Sequence, residues 1–409
     1  MTQSAPWRMT PREKKSSISL AGIFALRMLG LFVILPVFAI YARELPGGND
    51  EFMVDEFMVG LTLGIYGLAQ GILQIPFGAA SDRFGRKPVI IAGLLIFAFG
   101  SFIAACSGSI WGIFFGRALQ GAGAISAAVT AFISDSVREE VITKAMAMVG
   151  ASIGLTFAVS LVIAPLLSDL WGVPGIFALT GLLALAAILV AKFVVPDAPQ
   201  HLRTKTSGKP WQEILLDHQL IRLNIGIFVL HACLTAVFVV IPTRLLEMNL
   251  PSEHHWWVYL PAVTAGFIVM APLIILGEKR GKMVRIMKLV IGFLTAAFVL
   301  FAYLMHSIWE IAFLLGLFFV GFNVLEATLP SLISKIAPKS DKGLALGIYN
   351  TLQNFGLFAG GALGGFIARE WSAEAVFFTC AFAMLLWLAS AIGLKEPERS
   401  SRKPGEALN

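Results

Sequence analysis

Four ionisable side chains lie deep inside long apolar runs of this 409-residue sequence: Arg27, Arg117, His231 and Glu326. Placing such a group in hydrocarbon costs about 2.5 to 3.5 kcal/mol, so it persists where it faces protein or water and has work to do. Glu326 is the one carboxylate of the set. A carboxylate balanced between the penalty of burial and the pull of a nearby cation can load and release a proton during a working cycle. His231 is then a candidate relay or tuner of that proton. The two arginines stay cationic at any working pH, so their chemistry is to neutralise a carboxylate or to bind an anion. Each group also has a passive reading. Glu326 would form a permanent helix-to-helix ion pair, with Arg27 as its partner; Arg117 would be satisfied by Gln120 and backbone carbonyls; His231 would simply be hydrogen-bonded.

A second constellation is the string from Gly78 to Lys87, reading Gly-Ala-Ala-Ser-Asp-Arg-Phe-Gly-Arg-Lys. It sits between two apolar stretches of about twenty residues, the length needed to cross a bilayer, so its charges belong in the headgroup region on one side. Asp82 can face a helix N-terminus, where the partial positive charge favours a carboxylate by up to about 1 to 2 kcal/mol in partly buried geometry. The passive reading is a loop that only orients the chain.

The elements that position these groups follow from composition. Hydrophobic residues make up 57% of the sequence and charged residues 14%, which excludes a soluble globular domain and a disordered chain. Twelve apolar segments of spanning length lie at roughly 17–42, 57–79, 88–107, 109–133, 144–167, 173–195, 219–243, 256–276, 286–306, 308–333, 343–368 and 372–394. Their polarity is continuous and not alternating, which excludes a β-barrel. Trp111, Trp171, Trp256, Trp257, Trp309 and Trp371 fall at segment ends on one side, where amphipathic rings favour the interface. Of the 31 Lys and Arg, only Arg43, Arg244 and Arg369 fall on that side and two lie within spans; the other 26 lie on the opposite side. This bias predicts both termini in the cytoplasm, and it makes the net charge of +6 a topology signal, not a nucleic-acid footprint.

The basic N-terminus, with Arg8, Arg12, Lys14 and Lys15, precedes a run too long for a cleaved signal peptide, so that run is expected to stay as the first span. Cys106, Cys233 and Cys380 sit in separate spans and read as structural thiols. Gly150 to Gly154 fits a nucleophile-elbow pattern, but inside an apolar helix it lacks the strand-turn-helix setting that exposes such a serine. His254 and His255, beside Trp256 and Trp257, point apart on a helix and read as an interfacial cluster, not a metal site. No phosphate-binding loop is present. The sequence therefore implies neither an enzyme, nor a cofactor, nor a metal.

The segment 196–218 is the longest connection on the terminal side and reads as a linker between an N-terminal half, 1–195, and a C-terminal half, 219–409. A shift of 200 positions matches Gly116 with Gly316, Gly121 with Gly321, Ala127 with Ala327, Ile133 with Ile333 and Ser134 with Ser334, which favours an internal duplication. The same shift opposes Glu326 with Ser126. The loop Gly277 to Lys282 is a weaker basic copy of the first hinge.

The hinge residues Gly78, Asp82, Arg83, Gly85, Arg86 and Lys87, placed after the second span, resemble the signature loop of the major facilitator superfamily of secondary transporters. Arg117-Ala-Leu-Gln120-Gly121-Ala-Gly123 resembles the family's fourth-span motif, which is linked to proton transfer. The run from Phe24 through Arg27 to Pro36, the surroundings of His231, and Leu325 to Ser334 resemble the YajR-type branch of inner-membrane, proton-driven drug exporters. Ala164-Pro165 departs from the Gly-Pro of the antiporter motif, and the YajR type can carry a further C-terminal domain. The resemblance implies an all-α membrane protein of twelve transmembrane helices in two pseudo-symmetric six-helix halves. Spans 1, 4, 7 and 10 would then line a central cavity, bringing Arg27, Arg117, His231 and Glu326 onto the transport path. It also implies that Asp82 faces the start of span 11 near Gly343 while Arg86 or Arg83 pairs with Asp135, a latch that closes the cytoplasmic side. The expected function is a monomeric, proton-coupled exporter of amphipathic small molecules in the bacterial cytoplasmic membrane. A symporter or facilitator for a small anionic metabolite, clamped by Arg27 and Arg117, is the alternative.

Overall fold

A chain crossing hydrocarbon must satisfy its backbone hydrogen bonds internally, and the apolar runs accordingly resolve into helices. The computed structural model describes residues 9–45, 55–197, 211–338 and 341–397. Arg8, the centre of the linker and the basic tail after 397 lie outside the described residues. Span 1 consists of α1 (Pro11–Phe32) and α2 (Leu35–Glu44), interrupted just before Pro36. Span 2 is α3 (Glu56–Phe84) and span 3 is α4 (Arg86–Cys106). Span 4 is divided into α5 (Ile110–Ala122) and α6 (Ser126–Ser136) by a break at Gly123. Spans 5 and 6 form one long element, α7 (Glu139–Leu189), bent at Gly172, where φ is 66° and Pro174 follows.

After the short α8 (Trp211–Leu215) come α9 (His218–Glu247), α10 (Trp256–Arg280), α11 (Met283–Tyr303), α12 (Ile308–Ile336), α13 (Lys342–Glu370) and α14 (Ala373–Ala391), which are spans 7 to 12. Among the described residues nine stretches are long and apolar enough to cross a membrane by themselves; the bend in α7, the α5–α6 pair and the glycine-rich α13 supply the other three crossings. Large apolar side chains such as Phe99, Leu189, Leu289 and Leu386 remain exposed, as a lipid-facing surface requires.

Within the N-terminal half α1 packs on α7 and α4 on α5 and α7; within the C-terminal half α10 packs on α12, α11 on α14 and α13 on α9. The halves meet chiefly where α3 lies along α13, with α7 against α10 and α2 against α9. The described chain ends share one face of the bundle, here the terminal face. Toward the opposite face the seam is tight. A Cβ on Gly60 would run into the Gly361 carbonyl oxygen, and one on Gly64 would lie 2.8 Å from that of Phe358. Such small-residue stripes let helix backbones approach closely in a membrane. Arg369 of α13 also crosses the seam to Asp55 at 2.9 Å and lies over the Phe57 ring. The close contact is not continued at the terminal end of α13, where Cβ atoms on Gly343 and Gly347 would meet nothing within 4 Å.

The terminal face repeats one device in both halves. After span 6, Asp197 pairs with Lys87 at the start of α4 at 2.6 Å, and this ammonium holds the Asp197 carboxyl below the usual carboxylate range. After span 12, Glu396 accepts from the backbone N–H groups of Val284 and Arg285, both at 3.0 Å, at the start of α11. Each half thus ties its last helix to the beginning of its third.

Candidate functional site

The four buried ionisable groups gather as two clusters, one per half. In the C-terminal half, His231 of α9 places Nε2 3.7 Å from Glu326 Oε2 of α12. Gln353 of α13 joins them, its Nε2 lying 2.7 Å from His231 Nε2 and 3.5 Å from Glu326 Oε1. An amide nitrogen only donates, so in this arrangement His231 Nε2 accepts and the ring is the neutral, Nδ1-protonated form. The His231 side chain is 3% exposed and that of Glu326 33%, but the exposure of the acid excludes Oε2, which is buried without a hydrogen-bond partner. Phe322, one turn before Glu326, packs its ring 5.7 Å from that of His231.

In the N-terminal half, Arg27 of α1 donates through Nη1 to Ser126 Oγ at 2.8 Å, and Gln70 Nε2 of α3 reaches the same oxygen at 3.3 Å. Arg117 of α5 donates to Gln120 Oε1 at 3.1 Å and to the Leu63 carbonyl at 3.4 Å; Gln120 continues to Ser101 Oγ at 2.8 Å. The Tyr66 ring lies between the guanidinium groups, 5.7 Å from Arg27 and 4.8 Å from Arg117, close enough for both to feel its π face. Among the described residues neither arginine is paired with a carboxylate, and Nε and Nη2 of Arg27 are buried without a hydrogen-bond partner. The Arg27–Glu326 ion pair of the passive reading is not formed. Arg117 has the contacts of its own passive reading, Gln120 and a backbone carbonyl.

An aromatic layer connects the halves on the side of these clusters away from the terminal face. Phe157 of α7 packs 5.0 Å from Phe32 of α1 and 5.8 Å from both Phe319 and Phe322 of α12. The layer and the α3–α13 seam close the midplane toward the opposite face.

At the hinge, Gly85 adopts φ 94° between α3 and α4, a left-handed value that glycine adopts without strain. This turns Arg86 back over the loop, where it meets Asp82 at 2.7 Å, Asp135 at 2.9 Å and Ser81 Oγ at 2.6 Å. Arg86, not Arg83, is therefore the partner of Asp135; Arg83 lies over the Phe84 ring. The Ser81 hydroxyl donates to the Gly78 carbonyl, and Lys87 is engaged by Asp197. Of the two adjacent histidines, His254 packs against Trp257 with the rings tilted and His255 turns inward to the Leu250 carbonyl.

Gln353, Tyr66, Gln70 and Ser101 are among the site residues that sequence reasoning missed. A signal for the first was present: Asn350, Thr351, Gln353 and Asn354 form a polar patch in the middle of an otherwise small and apolar span.

The model of the Major Facilitator Superfamily matches residues 20–324 and 282–408. The chain belongs to that superfamily. It is 41% identical to the inner membrane transport protein YajR of Escherichia coli K12, over 96% of this chain and 86% of that protein. It is 25% identical to multidrug resistance protein 2 of Bacillus subtilis, over 94% and 96% of the two chains. The fold matches the crystal structure of a bacterial homologue of the human lysosomal transporter Spinster with a TM-score of 0.72, at 12% identity and covering 94% and 97% of the two chains. The protein is thus a multi-pass transporter of the inner-membrane type, with the twelve-helix, two-half superfamily fold. Set in that fold, the cationic cluster belongs to one half and the acidic cluster to the other.

Proposed function

We propose that this superfamily member is a proton-coupled secondary transporter that exports amphipathic small molecules by alternating access. Its terminal face is cytoplasmic, it acts as a monomer, and residues 196–218 link its halves at 1–195 and 219–409. The observation that carries the reading is the Glu326 cluster: a mid-membrane carboxylate, one-third exposed as a side chain, with an imidazole and an amide as neighbours and, among the described residues, no fixed cation. Such a group can exchange a proton with whichever side the cavity faces. The driving force is adequate, since each charge moved down the potential is worth about 2.3 kcal/mol per 100 mV. Full-length similarity to a multidrug resistance protein supports the substrate class. In this reading Asp82, Arg86 and Asp135, set by Gly78 and Gly85 and flanked by Arg83 and Lys87, form the latch that closes the cytoplasmic side against span 11.

The test uses purified protein in liposomes, an imposed pH gradient and a panel of lipophilic cations including ethidium. Wild type moves at least one probe in response to the gradient, and Glu326→Gln abolishes that response. Gradient-driven flux in Glu326→Gln equal to wild type ends the coupling role.

One observation favours a second reading. Arg27 is buried with two unpartnered nitrogens, which suits an anionic substrate group. Thermal stabilisation of the protein by small carboxylates and phosphates, and not by lipophilic cations, selects transport of an anionic metabolite.

A further inference from the structure

Two adjacent amides of α13 face different partners. Gln353 reaches His231 and Glu326 inside the C-terminal half. Asn354 donates to Gln74 Oε1 of α3 in the other half at 3.4 Å, and to its own helix at the Asn350 carbonyl at 2.7 Å. Successive residues on a helix diverge by roughly 100°, which lets one side chain enter the acidic cluster while the next crosses the seam. The bond to Gln74 sits where the seam has no slack, beside Gly67, whose added Cβ would meet the Leu357 side chain at 3.0 Å. Asn354 and Gln74 are both buried.

We propose that Gln353 and Asn354 are positioning residues that transmit the protonation state of Glu326 to the contact between the halves. The inference rests on the proton-coupled reading above. The Gln353 nitrogen now serves two acceptors, a neutral imidazole and a carboxylate. Protonation of Glu326 removes the charge-assisted part of one bond, and a proton arriving on His231 Nε2 would face the amide N–H groups and require the amide to turn its oxygen inward. Either event reorients the side chain of residue 353, and α13 carries the displacement to residue 354 and its bond across the seam. Among the described residues the titratable groups facing this cluster are His231 from α9, Glu326 from α12 and Tyr349 from α13, while α3 brings only the neutral amide of Gln74.

The experiment needs no substrate. In protein carrying Cys106→Ser, Cys233→Ser and Cys380→Ser, spin labels on cysteines at Lys15 and Arg280 report the separation of the halves at the terminal face across a pH series. Infrared difference spectra follow the protonated carboxyl band of Glu326, identified by its loss in Glu326→Gln. In wild type, band and distance change together. Asn354→Ala and, from the other half, Gln74→Leu keep the band titrating as in wild type but reduce the pH-driven change in the population ratio about 3- to 10-fold, the scale of one lost hydrogen bond. Two variants approach the same bond, so a folding failure in one leaves the other to decide. Distances in both variants that follow pH as in wild type overturn the transmission role and leave proton coupling intact. A wild-type protein with no titrating carboxyl band overturns the proton reading, and this inference with it.

Discussion

Ser126 and Glu326 stand 200 positions apart, and each is met by the ionisable side chain of the first helix of its half: Arg27 lies on Ser126 at 2.8 Å and His231 on Glu326 at 3.7 Å. The duplicated architecture has kept the place and divided the chemistry. One copy holds a permanent cation against a hydroxyl, and the other an acid against a neutral base.

Restoring the missing carboxylate therefore tests what Arg27 lacks. Ser126→Glu supplies a charge-assisted bond, worth about 1.5 to 3 kcal/mol, against the cost of burying a second charge. Ser126→Leu instead removes the hydroxyl acceptor, at about 1 to 3 kcal/mol. In a thermal-denaturation series, Ser126→Glu is expected at or above wild type and Ser126→Leu several degrees below it. Equal losses in the two variants mean that the site responds to volume and not to charge.

A second repeated pair differs in sense. Asp135 and Lys335 end spans 4 and 10; Arg86 holds the first at 2.9 Å and Glu278 the second at 3.2 Å. The first arginine side chain is 11% exposed, whereas Lys335 and Glu278 are 42% and 55% exposed. Solvent screening leaves an exposed pair worth about 0 to 1 kcal/mol. Arg86→Ala should thus lower the melting temperature clearly while Lys335→Ala falls within about 0.5 kcal/mol of wild type. A larger effect of Lys335→Ala contradicts this ordering.

The spans were legible because hydrocarbon leaves the backbone one economical solution, and Trp and Lys/Arg placement marks the two faces. The breaks inside spans 1 and 4 were not, because Gly123 and Pro36 also occur within unbroken membrane helices. Arg27, Arg117, His231 and Glu326 stood out, since charge in an apolar run is visible at once. Their grouping was not: whether Arg27 meets Glu326 or Ser126 depends on helix rotation, which hydropathy does not encode. Gln353 and Tyr66 were missed because neutral polar residues cost little in a span and so draw little notice. Asp197 and Glu396 looked like linker and tail residues until the structure brought them to the starts of α4 and α11.

The seam between α3 and α13 sets a further expectation. Arg369 spans it to Asp55, and Gly60 has no room for a methyl group. Thr243, buried and lining a cavity of about 190 Å³ at this junction of the halves, is a reporter of its opening. With Thr243→Cys as the sole thiol, Arg369→Ala should raise the maleimide labelling rate from the opposite face about 2- to 5-fold, matching a partly exposed ion pair. Gly60→Ala should raise it further, because its clash is with backbone. Unchanged rates in both variants exclude this seam as the barrier.

The two buried arginines make opposite demands on stability. Arg117 supports Gln120 and adds a second bond to the Leu63 carbonyl, which keeps its partner within α3, so Arg117→Leu strands one buried acceptor, Gln120 Oε1, at about 1 to 3 kcal/mol. Arg117→Lys keeps the charge but loses the fork that reaches both, and should recover only part of the loss. Arg27 carries a buried charge with two unpartnered nitrogens, one hydroxyl contact and the Tyr66 ring beside it. Its replacement by Leu relieves a desolvated cation, so the melting temperature should stay level or rise while transport falls. Measuring melting temperature and flux side by side tests the division we propose, in which Arg117 holds the N-terminal half together and Arg27 serves the transport path. Should Arg27→Leu unfold the protein while Arg117→Leu melts as wild type, the assignment of the two is reversed.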